Sequence, residues 1–91
     1  MHKYFEWDEN KNRVNLEKHG VSFEEAKGAF KDKQRVTHDD LSHSNIEKRY
    51  YCFGKVERGI LTVRYTFRNN KFRIIGAGFW KKGKKIYENE N

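Results

Sequence analysis

The side chains of this 91-residue sequence that could do chemistry are four histidines, one cysteine and a set of arginines on strand-like stretches. Of His2, His19, His38 and His43, only His19 stands at a defined element end, between Lys18 and Gly20. An unperturbed imidazole titrates nearest neutral pH and can move a proton in either direction. Cleavage of a phosphodiester by a neighbouring hydroxyl needs a base for the hydroxyl proton, a cation for the developing phosphorane charge, and an acid for the leaving oxygen. Lys18, His19 and the arginines Arg64, Arg68 and Arg73 offer those parts without a metal ion. The competing reading of His19 is a helix-terminal cation that serves only the helix dipole.

Other constellations carry less. His38-Asp39-Asp40 followed by His43 has metal-ligand residue types at short spacing, and imidazole and carboxylate can converge on an ion. A loop this polar collects such residues by solvation preference, and no His-Glu-x-x-His or second cysteine stands beside them, so no metal is assigned. Cys52 lies between two aromatics in a strand-like stretch and reads as a buried structural thiol rather than a nucleophile. No Gly-x-Ser-x-Gly or Walker-type loop occurs, and Gly76-x-Gly78 is too short for a phosphate cradle. No cofactor is expected.

The elements that must hold these side chains are written in local signals. Lys3–Trp7 reads as a short first strand. Asp8 occupies an N-cap position and Gly20 a C′ position, bracketing a helix over 8–20 with Lys18 and His19 in its last turn. Ser22-Phe23-Glu24-Glu25 is a capping box with Val21 and Ala26 as hydrophobic staple, opening a second short helix over Phe23–Phe30. Arg35-Val36-Thr37 predicts a brief strand and Asp39–Asn45 a loop. Three strands follow as a meander, Arg49–Val56, Ile60–Arg68 and Lys71–Phe79. If Asn69-Asn70 makes a two-residue turn, Arg68 faces Lys71, Phe67 faces Phe72, Thr66 faces Arg73 and Tyr65 faces Ile74. Alternation then puts Leu61, Val63, Tyr65, Phe67, Phe72 and Ile74 on an apolar face for the helices to cover. Thr62, Arg64, Thr66, Arg68, Lys71 and Arg73 form a cationic face. The Gly76-Ala77-Gly78 stretch predicts a bend, a bulge or a close backbone approach. The tail from Phe79 is open to three states: a short helix, an ordered extension or a flexible basic arm. Trp80 and Tyr87 could stack on unpaired bases, against the simpler reading that they pack the tail onto the sheet.

Charge sharpens this picture. Residues 1–47 carry 8 basic and 10 acidic side chains, whereas residues 48–91 carry 12 basic and 3 acidic ones. An asymmetric positive potential of that size points to a polyanion as partner. A single cysteine excludes an intramolecular disulfide framework and a multi-cysteine zinc site, which fits a cytoplasmic protein. No apolar run approaches a membrane span, and no signal-peptide stretch opens the chain. With 14 aromatic residues a disordered chain is excluded, and the length suits one domain over 1–91.

Two blocks together resemble a known family. Phe5-Glu6-Trp7-Asp8 followed by Asn15-Leu16-x-Lys18-His19-Gly20-Val21-Ser22-Phe23-Glu24-Glu25-Ala26, and later Arg73-Ile74-Ile75-Gly76-Ala77 with Lys84-Lys85-Ile86-Tyr87-Glu88, is similar to the signature of BrnT toxins of bacterial type II toxin–antitoxin systems. The likeness spans 5–30 and roughly 45–88, in order. It implies an α+β, RelE-like fold: an antiparallel sheet with two N-terminal helices on one face and a short C-terminal helix or basic tail. It also implies a ribonuclease that blocks translation and growth, and a cognate BrnA-type, DNA-binding antitoxin in a hetero-oligomer with it. The family's Lys-His pair maps to Lys18 and His19, and its basic strand positions map to Arg49, Arg64 and Arg73. Many relatives carry Ser-Ala-Arg-Arg after the last strand's Ile, where this chain has Gly76-Ala77-Gly78-Phe79-Trp80. Lys81, Lys82, Lys84 or Lys85 could substitute for those arginines, and with Thr66, Arg68 and Lys71 they are the expected RNA-binding residues. Lys18, His19, Arg49, Arg64 and Arg73 are the expected catalytic set. The alternative is a non-catalytic RNA-binding module, or a basic face that only docks an acidic partner protein.

Overall fold

A computed structural model describes residues 4–43 and 47–91, so the end of the expected Asp39–Asn45 loop lies outside the described residues. Strand β1 (Phe5–Glu6) leads into helix α1 (Glu9–His19) and helix α2 (Phe23–Ala26), which runs on as a 3₁₀ turn over Lys27–Lys31. Strands β2 (Val36–Asp39), β3 (Tyr50–Val56), β4 (Gly59–Arg68) and β5 (Lys71–Gly78) follow, and helix α3 (Lys81–Glu90) ends the chain. The five strands form one sheet in the order β1-β5-β4-β3-β2.

Local signals act where the sequence places them. The Asp8 carboxylate accepts the N–H groups of Asn10 and Lys11 at 2.8 and 3.2 Å. Gly20 turns left-handed at φ +68° and returns its N–H to Leu16 O, a conformation that a Cβ would strain. Ser22 Oγ accepts the Glu25 N–H at 3.0 Å. The return half of the expected capping box is not made, because Arg58 binds the Glu25 carboxylate. Asn69 and Asn70 adopt φ of 55° and 62°, so β4 and β5 pair in the expected register, Arg68 with Lys71 through Tyr65 with Ile74. Ile75 is then bulged between Arg64 and Tyr65.

Three expectations need correction. The sheet is mixed rather than antiparallel, since β1 runs parallel to β5 with Phe5 beside Phe72 and Glu6 beside Arg73. Parallel neighbours need a long crossover, and here the whole chain between β1 and β5 supplies it. The second helix is α-helical only to Ala26 and tightens into 3₁₀ winding around Gly28, a residue that weakens an α-turn. Third, the brief strand lies at Val36–Asp39 rather than Arg35–Thr37, taking Asp39 from the expected loop.

Each sheet face has a cover. Val21, Phe23, Ala26 and Ala29 pack against Leu61, Val63, Tyr65, Ile74 and Ala77 to make the core, with Phe30 meeting Phe5, Tyr65 and Phe72 ring to ring. The opposite face, expected as an open cationic floor, is partly roofed by α3, which contacts β2, β3 and β4. Gly83 of α3 sits so closely on Thr62 and Phe53 that both are buried. No helix among the described residues is long and apolar enough to cross a membrane.

Candidate nucleic-acid interface

The second face exposes a cleft beside α3, and the way α1 is fixed explains its composition. β1 pairs only with Phe72 and Arg73, which leaves the edge of β5 beyond it without a strand. Asn15 fills that edge. Its Nδ2 donates to Ala77 O and to Val21 O, both at 2.9 Å, while its Oδ1 accepts the Ala77 N–H at 3.2 Å. A buried amide thus stands in for a neighbouring strand, satisfying groups that would otherwise be orphaned. This holds α1 at the sheet edge, so that its last turn carries Lys18 and His19 to the rim of the second face.

Two glycines let flat side chains lie on β5. A Cβ at Gly76 would stand 3.2 Å from the Arg64 guanidinium, and one at Gly78 would stand 2.5 Å from the Trp80 ring. The close backbone approach expected from Gly76-Ala77-Gly78 is therefore a seat for Arg64 and Trp80. The Trp80 indole meets the His19 imidazole edge to face, centroids 5.1 Å apart and planes at 73°. His19, Tyr51, Thr62, Arg64 and Trp80 line a cleft of about 330 Å³. Lys18, His19 and Arg64 share a second hollow of about 310 Å³ beside it. Arg64 and His19 face both.

Charge pairing separates the expected cations into two groups. Arg73 is paired with Glu6 at 3.1 Å and Arg68 with Glu47 at 2.9 Å. Lys71 is half-buried opposite Arg68 at the hairpin end, and Arg49 is half-buried just before β3, its carbonyl accepting the Asp40 N–H. None of these four lines the cleft that His19 and Arg64 share. Thr66, expected to donate to phosphate, is 2 % exposed and gives its hydroxyl to Lys48 O at 2.6 Å, so it is withdrawn from any ligand. Among the described residues, no carboxylate pairs with Lys18, Arg64 or the lysines of α3. Lys81, Lys82, Lys84 and Lys85 form an exposed basic ridge on α3.

The remaining candidates take structural roles. Cys52 is buried, and burial pushes its thiol up to about 12, so it is held as an inert thiol. His38 meets the Glu90 carboxylate at 2.7 Å, and Asp40 accepts the Ser42 hydroxyl. Tyr87 packs as part of α3, its hydroxyl donating to Asp32 at 2.5 Å. Sequence reasoning missed Asn15 and Tyr51. A signal for Asn15 did exist: α1 has no apolar stripe, so whatever side it buries must be polar.

A family model described as ribonuclease toxin, BrnT, of type II toxin-antitoxin system matches residues 7–83. No curated protein matches the chain.

Proposed function

The chain belongs to the BrnT family of ribonuclease toxins of type II toxin–antitoxin systems, and from that premise we propose that it cleaves RNA without a metal ion in the cleft between α1, β4 and Trp80. The observation that carries this reading is the meeting of an unneutralised Arg64 with Lys18 and His19 around one hollow. The Arg64 guanidinium, seated on Gly76, would hold the scissile phosphate and stabilise the charge of the phosphorane. The His19 imidazole would take the 2′-hydroxyl proton as the 2′-oxygen bonds to phosphorus. As the bond from phosphorus to the 5′-oxygen breaks, the Lys18 ammonium would protonate the leaving oxygen, giving a 2′,3′-cyclic phosphate and a free 5′-hydroxyl. Arg49 and Arg73, with Arg68 and Lys71, would serve RNA outside this cleft, and the α3 lysines would track its backbone.

We read the fold as RelE-like, the product of cleavage as arrested translation and growth, and the setting as the cytoplasm. The antitoxin we propose is a BrnA-type, DNA-binding protein that neutralises the toxin by covering its basic surface. Purified protein incubated with single-stranded RNA in EDTA tests the central claim. Cleavage should persist, and Arg64→Ala should lower its rate about 10²- to 10³-fold, as loss of one charge-stabilising group does elsewhere. RNA left intact in EDTA, or an Arg64→Ala variant as active as the parent, would refute it.

A further inference from the structure

The cleft continues under α3 into a second chamber of about 480 Å³ whose lining includes His38, Tyr51, Phe53, Thr62, Trp80 and Lys82. Its character differs from the cleft: the rings of His38, Tyr51, Phe53 and Trp80 share the lining with Asp39 and Ile86. Tyr51 and Phe53 lie nearly parallel, centroids 5.7 Å apart at 19°, and His38 stands edge-on to Phe53. Tyr51, Thr62 and Trp80 belong to both spaces. The Thr62 hydroxyl, on a residue 5 % exposed, has no hydrogen-bond partner among the described residues, but Gly83 of α3 covers it, so the accessible polar groups of the lining are those of Asp39 and Lys82.

We infer that this chamber is a nucleobase pocket, receiving the unpaired base next to the phosphate held at Arg64, with Trp80 and Tyr51 as its stacking residues. The inference rests on the RNA-cleavage reading for the placement of that phosphate. A flat heteroaromatic ring with a hydrogen-bonding edge suits a chamber whose lining joins aromatic rings with the polar side chains of Asp39 and Lys82. Lys82 at the mouth adds a cation for the backbone. The volume lies within the range of small-ligand sites. Trp80 is then a specificity-determining residue: its indole, fixed flat on Gly78 and braced by His19, divides the phosphate cleft from the base pocket.

A binding measurement separates this claim from cleavage. Trp7→Phe leaves Trp80 as the sole tryptophan, and its fluorescence is followed as the four nucleoside 5′-monophosphates are added, with ribose 5-phosphate and inorganic phosphate as controls. Saturable quenching by at least one nucleotide and by neither control is the expected result. Tyr51→Ala should weaken that binding about ten- to a hundredfold, the range for loss of one stacking partner. Ile86→Phe in the same background, which fills the chamber without adding a second tryptophan, should abolish the quenching while thermal unfolding stays cooperative. Equal quenching by the controls, or nucleotide binding unchanged in both variants, overturns the inference even if RNA is cut. Quenching only by a co-expressed antitoxin also overturns it, because the occupant is then a protein side chain. Base-dependent binding with RNA left intact would uphold the pocket and refute the cleavage reading alone.

Discussion

Replacing Asn15 by aspartate exchanges one NH₂ for an oxygen and leaves the volume unchanged. The parent amide gives two N–H bonds to the carbonyls of Val21 and Ala77 and accepts one from Ala77, at 2.9, 2.9 and 3.2 Å. The aspartate keeps the acceptor and loses both donors. Two carbonyls then lack partners and confront a negative oxygen, at a position only 8 % exposed. An unsatisfied buried polar group costs about 1–3 kcal/mol, so two at a sheet edge should cost about 3 kcal/mol at neutral pH. For a domain of this size that corresponds to a fall in Tm of about 10–20 °C. The deficit should also depend on pH, with a sign that burial fixes. Desolvation and the two carbonyls raise the folded-state pKa of the introduced carboxyl above its unfolded value of about 3.9. The variant is therefore most stable, relative to the parent, below about pH 4 and loses ground as pH rises through the folded pKa. Urea unfolding of parent and variant at pH 4 and pH 7, followed by circular dichroism, measures both effects. A variant within about 1 kcal/mol of the parent at pH 7, or a deficit as large at pH 4 as at pH 7, would refute the role given to Asn15.

Gly76→Ala should displace the Arg64 guanidinium by a few tenths of an ångström, since the new Cβ would stand 3.2 Å from it. RNA cleavage should fall about tenfold, because misplacement approaching 1 Å costs up to about a hundredfold, with Tm nearly unchanged. Gly83→Ala places a Cβ 1.9 Å from Thr62 Oγ1 and 3.0 Å from Phe53, so α3 must lift. Stability should drop by about 1–3 kcal/mol, and the lysine-rich helix should be cut faster by trypsin. Tyr87→Phe removes the hydrogen bond to Asp32 that, with burial, raises the Tyr87 hydroxyl to about 12. Burial works to raise the Asp32 carboxyl, but hydrogen bonds from Tyr87 and from the N–H groups of Lys55 and Gln34 outweigh it and hold it below its ordinary 3.8. The variant should lose about 1 kcal/mol at neutral pH. For the Asp32 contribution, the gap between the two unfolding curves is full above about pH 4 and closes as pH falls through the depressed folded pKa.

Much of the framework was legible because its causes are local. Asp8, Gly20 and Ser22 fix helix ends through bonds to residues two to four positions away, and Asn69-Asn70 sets a hairpin register through its own backbone angles. The arginines were placed on the right strand face by alternation alone. What alternation cannot say is which element covers a face. Gly83, Ile86, Tyr87 and Glu90 repeat at the spacing of one helical side, but with glycine as its first member the stripe does not announce a packed helix. Thr62, covered by Gly83, therefore looked like part of an open face. The parallel pairing of β1 with β5 joins residues far apart in sequence and leaves no mark in either strand. The division of the cations likewise depends on partners brought by folding, Glu6 for Arg73 and Glu47 for Arg68. Their place at a helix end singled out Lys18 and His19 and the family likeness agreed, while Trp80, open in the sequence to stacking on bases or packing the tail, takes its seat from the geometry of Gly78.

The edges of the sheet bear on how the molecule meets others. Its outer strands, β1 and β2, are only two and four residues long, and short edges make poor templates for strand addition. β5 is eight residues long and would offer a longer ladder where β1 stops. There Asn15 already occupies both the N–H and the C=O of Ala77. An incoming strand finds no open rung at that position, which disfavours edge-to-edge aggregation. A neutralising partner that approaches β5 must accordingly grip side chains or displace α1, and displacing α1 would carry Lys18 and His19 away with it.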